Sequence, residues 1–118
     1  MMHFSGLLAL ALGGAAGTVL RHLIISLFGA PWAVAAINIA GSFLIGLAWI
    51  LLSQRLQLGP IIMTGLLGGF TTFSAFSLDT LKLVEAGRMT EALAYVAASV
   101  FLSLFAVFLG VTLARQLS

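Results

Sequence analysis

The chain has 118 residues, of which 62% are hydrophobic and only 7% are charged, with a formal net charge of +2. A soluble domain of this size has a large surface for its volume and needs more charged residues, so the composition excludes an ordinary soluble domain. The five Lys and Arg residues form no basic stripe, which argues against nucleic acid as a partner. Cysteine is absent, which excludes a disulfide framework and a thiol nucleophile.

Four apolar segments are long enough to cross a membrane, which takes about 20 residues. We predict helices over residues 4–28, 32–52, 60–85 and 90–113, in a single domain that covers residues 1–118. The first segment also resembles the apolar region of a signal peptide, but no Lys or Arg precedes it and further spans follow. The sequence therefore predicts an all-α membrane protein with four transmembrane helices.

The few basic residues are divided almost evenly between the two faces of this arrangement. Arg55 and Arg115 fall on the face that carries the N-terminus, and Arg21, Lys82 and Arg88 fall on the opposite face. The Lys/Arg bias that sets orientation is therefore slight. Two interpretations stay open: a weak but sufficient bias, or insertion in both orientations, which allows two copies to pair antiparallel.

The third span differs from an ordinary membrane helix at its centre. Gly68 and Gly69 lie in the middle of the span, and the β-branched residues Thr71 and Thr72 follow. Each Gly costs a helix interior about 1 kcal/mol relative to Ala. We predict that this helix is broken at the membrane midplane, which is tolerated only where the backbone is buried in protein or lines a site. The alternative is a continuous helix with a Gly–Gly face for close packing.

Two aromatic residues follow this predicted break. Phe73 and Phe76 lie at i and i+3, on one helical face. The edge of an aromatic ring is electropositive, so it contacts a small anion without binding it as tightly as an arginine does. Weak binding suits a conduction path, whereas most Phe residues at helical spacing serve only in packing or face lipid.

Two other spans carry polar side chains on single stripes. Asn38 and Ser42 lie one turn apart in the second span, and the amide of Asn38 is able to donate to an anion. Tyr95, Ser99 and Ser103 share one face of the fourth span. A polar track is one interpretation of these stripes; interhelical hydrogen bonds and bonding of Ser to its own helix are the alternatives.

No constellation of catalytic residues is present, so we predict that the chain is not an enzyme. The sequence has no HExxH, P-loop or GxSxG motif, and His3 and His22 are too few for a histidine metal site. The first two spans contain no Asp or Glu. This removes the carboxylate that proton- or cation-coupled exporters place inside the membrane.

Three segments resemble one known family over essentially the whole chain. They are GGAAGTVLRH at 13–22, NIAGSFLIG at 38–46 and GGFTTFSAFS at 68–77. The last of these is the most specific. The sequence resembles the Fluc family of fluoride channels, also called CrcB proteins.

The resemblance implies a dual-topology, antiparallel homodimer in the bacterial plasma (inner) membrane. Its two pores would export fluoride passively from the cytoplasm and so lower fluoride toxicity. It further implies a structural Na⁺ at the dimer centre, held by backbone carbonyls that correspond to Gly68 and Thr71. The expected partners are therefore a second copy, the fluoride ion and the lipid bilayer.

The resemblance also implies roles for individual side chains. Arg21 corresponds to an arginine of the aqueous vestibule. Ala75 stands where the family often has Thr, which removes one hydroxyl beside the expected ion path. The residues that correspond to the fluoride pore are Asn38, Phe73, Ser74, Phe76, Tyr95, Ser99 and Ser103.

Two other function classes predict sequence features that differ from those of a channel. A small multidrug exporter predicts a carboxylate in the first helix, where Arg21 is the only charged side chain. A non-transporting assembly subunit predicts no polar track and gives no reason for a break in the third span.

Overall fold

The computed structural model describes residues 2–118, and all regular secondary structure in that range is helical. Helix α1 is Phe4–Phe28 and α2 is Trp32–Leu51. Helix α3 comprises three consecutive stretches, Leu58–Pro60, Ile61–Leu67 and Gly68–Phe70, of which the second is π-helical. Helix α4 is Ser74–Glu85 and α5 is Met89–Leu117.

These helices confirm the prediction of four membrane-spanning segments. The segments Phe4–Phe28, Trp32–Leu51, Leu58–Glu85 and Met89–Leu117 are each long and apolar enough to cross a bilayer. Gly87 adopts a φ of 76°, and the Arg88 N–H donates to the Leu83 carbonyl, which closes α4 after Glu85, the predicted end of the third span. The chain is thus a multi-pass membrane protein.

The third span contains three residues outside regular helix. Gly68 and Gly69, which the sequence identified as the weak point, are helical, and the non-helical residues are 71–73. Thr71 is extended, with φ of −87° and ψ of 160°. An extended residue interrupts the i to i+4 hydrogen bonds of a helix, so the backbone groups on either side of Thr71 need other partners.

Small residues let the helices approach in two pairs. Helix α1 packs on α3, where a Cβ atom added to Gly17 would lie 2.1 Å from the Leu66 carbonyl oxygen. Helix α2 packs on α5, where a Cβ atom on Gly110 would lie 2.2 Å from the Phe43 carbonyl oxygen. Such contacts leave no space for a side chain, so Gly17 and Gly110 serve as packing positions.

A buried cluster that contains Val34 and Tyr95 lies where α2, α4 and α5 meet. Tyr95, Ile37 and Val34 are almost completely buried. The cluster also includes Phe76 and Leu83 of α4. Most large apolar side chains elsewhere are exposed, as expected for helices whose outer faces contact lipid. This cluster fixes α4, and with it the residues that follow Thr71, against α5.

Candidate functional site

Seven of the ten predicted site residues line one open groove of about 410 Å³. Helix α2, the 71–73 segment and α5 each supply part of its lining. The predicted residues among those that line it are Asn38, Gly68, Thr71, Phe73, Phe76, Ser99 and Ser103. The fold thus brings together side chains that are up to 65 positions apart (103 − 38) in the sequence.

Asn38 is bonded to the non-helical segment through both ends of its amide. Its Nδ2 donates to the Thr72 carbonyl oxygen over 2.8 Å, and its Oδ1 accepts from the Thr72 N–H over 2.9 Å. The amide therefore replaces helical partners that Thr72 lacks. One N–H of Asn38 is left over, because an amide NH₂ carries two donors.

Because residues 71–73 are not helical, the carbonyl groups of Gly68 and Thr71 lack the N–H donors that a continuous helix would provide. In a continuous α-helix the Thr72 N–H would bond to Gly68 and the Ala75 N–H to Thr71. Here the Thr72 N–H bonds to Asn38, and the Ala75 N–H bonds to the Thr72 hydroxyl over 3.2 Å. Gly68 and Thr71, whose carbonyl groups lose these regular donors, both line the groove.

An aromatic series runs from the groove toward the start of α2. The ring centroids of Phe73 and Phe76 are 5.4 Å apart, and those of Phe76 and Tyr95 are 5.3 Å apart. Trp32 meets Tyr95 edge to face at 5.4 Å. Phe76 and Tyr95 are buried, whereas Phe73 is 75% exposed. The series therefore has a fixed part inside the chain and one ring that projects from it.

Two hydroxyl groups of α5, those of Ser99 and Ser103, are buried without a hydrogen-bond partner in residues 2–118. The hydroxyl of Tyr95, the third residue of the predicted polar track, is buried beside the Asp79 carboxylate of α4 and does not line the groove. A buried hydroxyl without a partner costs free energy, so such groups in a folded protein call for a function. The Ser99 and Ser103 hydroxyls are donors available to a ligand in the groove that both residues line.

Three predicted site residues lie outside the groove lining: Tyr95, Ser74 and Arg21. The exposed Ser74 hydroxyl lies 3.4 Å from that of Thr72. The Nε of Arg21 donates to the Gly69 carbonyl oxygen over 3.1 Å, on the side of α3 that faces α1. The vestibule position expected for Arg21 stays a prediction, and its bond to α3 is an additional feature that the sequence did not indicate.

The sequence reasoning missed the involvement of Thr72 and Gly41. Thr72 is the partner of Asn38, and Gly41 faces Thr71, whose Cγ2 would lie 2.2 Å from an added Cβ. Gly41 lies three residues after Asn38, so the helical period was an available signal. No local pattern pairs residue 38 with residue 72, because that contact depends on the fold.

Comparison with known proteins places the chain in a family. The model of the CrcB-like protein family, Camphor Resistance (CrcB), matches residues 8–111. The Fluoride-specific ion channel FluC of Chelativorans sp. (strain BNC1) is 44% identical, with 94% of this chain and 97% of that protein covered. The protein of the same name from Paracoccus denitrificans is 47% identical, with 93% and 94% covered. Both relatives are thus named as ion channels, not as enzymes. The chain belongs to the CrcB-like family.

Proposed function

We propose that the chain is a fluoride channel whose ion path includes the groove beside residues 71–73. The observation that carries this proposal is that the unpartnered hydroxyl groups of Ser99 and Ser103 belong to residues that line the same groove as Phe73 and Phe76. The identity of the ion is inferred from the relatives, which are named fluoride-specific ion channels.

The groove chemistry suits a small, strongly hydrated anion. A pore must replace the water of fluoride with several donors, yet bind weakly enough to release it. The Ser99 and Ser103 hydroxyls and the remaining N–H of Asn38 are neutral donors. The ring edges of Phe73 and Phe76 add weak positive potential. No arginine or lysine lines the groove in residues 2–118, and such a charge would hold the ion more tightly.

A second copy in the opposite orientation would complete this path. Phe73 projects from the chain, and the groove is open on one side. The even division of Lys and Arg supports insertion in both orientations. Two inverted copies would bring both 71–73 segments together at the membrane midplane and form two pores, which export fluoride passively from the cytoplasm. We place this homodimer in the bacterial inner membrane.

A Na⁺ ion at the centre of the dimer would use the freed carbonyl groups. Residues 2–118 contain no cluster of three or more His, Cys, Asp or Glu side chains. The Gly68 and Thr71 carbonyls have lost their helical donors and are hard oxygen ligands, so they fit a hard cation. Two copies would supply four such carbonyls. The bound ion would supply positive charge between the two segments.

Fluoride efflux from liposomes that contain the purified protein tests this proposal. We expect the intact protein to release fluoride faster than chloride. We also expect Phe73→Ile and Asn38→Asp to reduce fluoride efflux at least about tenfold. This corresponds to an increase of about 1.4 kcal/mol in the free-energy barrier to conduction.

A matched control is Phe105→Ile, which changes an exposed ring of α5 that does not line the groove. Its efflux should equal that of the intact protein. Absence of fluoride efflux from the intact protein contradicts the channel. Equal fluoride efflux from the intact protein and the three variants would be consistent with a channel but would contradict the assignment of Phe73 and Asn38 to its ion path.

A further inference from the structure

Arg21 makes a specific contact with the backbone of α3 next to the non-helical segment. Its Nε donates to the Gly69 carbonyl oxygen over 3.1 Å, and Arg21 is itself half-buried. The Thr18 hydroxyl, one turn earlier in α1, lies 3.5 Å from the same oxygen. A hydrogen bond from a guanidinium is charge-assisted and stronger than one between neutral groups. An arginine within a membrane span commonly pairs with backbone carbonyls in this way.

The contact satisfies a carbonyl that the extended Thr71 has deprived of its helical partner. In a continuous α-helix the Gly69 carbonyl would accept from the Phe73 N–H, which lies in the non-helical segment. Gly69 faces α1 closely: a Cβ added to it would lie 2.3 Å from the Gly14 carbonyl oxygen. Arg21 is thus bonded to a carbonyl on the α1 side of α3.

Gly68 and Thr71 face the other way. Both line the groove, whereas Gly69 does not. A Cβ added to Gly68 would meet only the Met63 carbonyl oxygen, at 3.6 Å, so this residue lies beside open space. The Gly69 carbonyl is therefore bonded to the guanidinium of Arg21 on the α1 side, whereas Gly68 and Thr71 lie on the groove side.

We propose that Arg21 is a positioning residue: by bonding to the Gly69 carbonyl from α1, it holds the end of α3 so that the Gly68 and Thr71 carbonyls point to the groove and bind the cation. The inference rests on the sodium part of the proposed function. Arg21 acts through the backbone and does not contact fluoride. Its positive charge also keeps a second cation away from Gly69, because like charges repel.

The test is fluoride efflux from liposomes at increasing Na⁺ concentration, with Arg21→Lys compared with the intact protein. Lysine keeps the charge and loses the planar Nε–H donor. We expect the Na⁺ concentration for half-maximal efflux to rise about tenfold, as for loss of one hydrogen bond to a charged group. The maximal efflux at saturating Na⁺ should approach that of the intact protein, which an unfolded variant could not do. The control Thr18→Val removes only the 3.5 Å contact and should leave both quantities unchanged.

The possible outcomes distinguish a failure of this inference from a failure of the proposed sodium site on which it rests. An unchanged half-maximal Na⁺ concentration in Arg21→Lys overturns the inference and leaves the sodium site standing. Loss of efflux at every Na⁺ concentration also overturns it, because Arg21 then acts in the ion path or in folding. Efflux from the intact protein that is independent of Na⁺ contradicts the sodium site and the inference together.

A second measurement tests the contact without using transport. Solid-state NMR in liposomes can detect dipolar coupling between ¹⁵Nε of arginine and ¹³C-labelled carbonyls of glycine. We expect a coupling in the intact protein and in Thr18→Val that disappears in Arg21→Lys. Its absence from the intact protein would overturn the inference even if Na⁺ supports transport.

Discussion

The third span has one side that packs on α1 and one side that faces the groove. Within a single chain the first side is fully packed, whereas the second is open. On the α1 side, Gly17 and Gly69 allow backbone to meet backbone, and Arg21 bonds to the Gly69 carbonyl. On the groove side, Phe73 is exposed and the Ser99 and Ser103 hydroxyls have no partner in residues 2–118. The closed side is a finished packing surface. The open side has the free donors and space that a ligand or a second copy requires.

The largest effect is expected on the closed side, from Gly17→Ala. The new Cβ would lie 2.1 Å from the Leu66 carbonyl oxygen and 2.7 Å from the Phe70 N, so α1 and α3 must separate. We expect a loss of about 3 kcal/mol or more in the free energy of unfolding. Thermal unfolding in detergent measures it. Gly14→Ala is the control, because its Cβ would meet only the Gly65 carbonyl oxygen, at 3.7 Å. Equal destabilisation by both changes would contradict the close approach at Gly17.

A smaller loss is expected from Asn38→Ala, which acts where α2 meets the open side. The change removes both hydrogen bonds to Thr72 and leaves a backbone donor and acceptor without partners. We expect the free energy of unfolding to fall by about 2 kcal/mol. Thermal unfolding is again the measurement, and Ser42→Ala, one turn further along the groove, is the control. A midpoint equal to that of Ser42→Ala would show that Asn38 does not brace residues 71–73.

Ser99→Ala and Ser103→Ala on the groove side should change stability little and fluoride efflux strongly. Both hydroxyl groups are buried without a partner, so their removal should change the free energy of unfolding by less than about 1 kcal/mol. Fluoride efflux should nevertheless fall about tenfold for each, the equivalent of one lost hydrogen bond to a charged group. The exposed Ser26→Ala of α1 is the control for both measurements. Unchanged efflux in the double variant would remove these hydroxyls from the ion path.

The smallest effect is expected at the membrane edge, away from both sides. Arg88 forms an ion pair with Glu91, and its side chain is 60% exposed. Exposed pairs of this kind contribute less than about 1 kcal/mol. Arg88→Ala should therefore leave the unfolding midpoint and fluoride efflux near those of the intact protein. A loss comparable with that of Asn38→Ala would assign the pair a larger role.

The sequence predicted the features that depend on local composition. The four spans and their approximate bounds follow from the lengths of the apolar segments. Each of these depends on residues within a few turns of one another, which a sequence pattern can show.

The remaining features depend on contacts between distant residues. The weak point was expected at Gly68 and Gly69, but both are helical and the extended residue is Thr71. Thr72 bonds to Asn38 across 34 positions, and that contact stabilises the non-helical segment. The helix propensity of glycine was therefore a weaker influence than a tertiary hydrogen bond. The open side cannot be completed by any pattern within one chain, because its proposed partner is a second copy.

Completion of the open side by an inverted second copy is tested most directly by labelling a single cysteine in intact cells. The chain has no cysteine of its own, so Ser53→Cys places one thiol in the loop between the second and third spans. A thiol reagent that cannot cross the membrane should label about half of the molecules, as expected for insertion in both orientations. Labelling of nearly all or almost none of them would show one orientation and contradict the antiparallel pair.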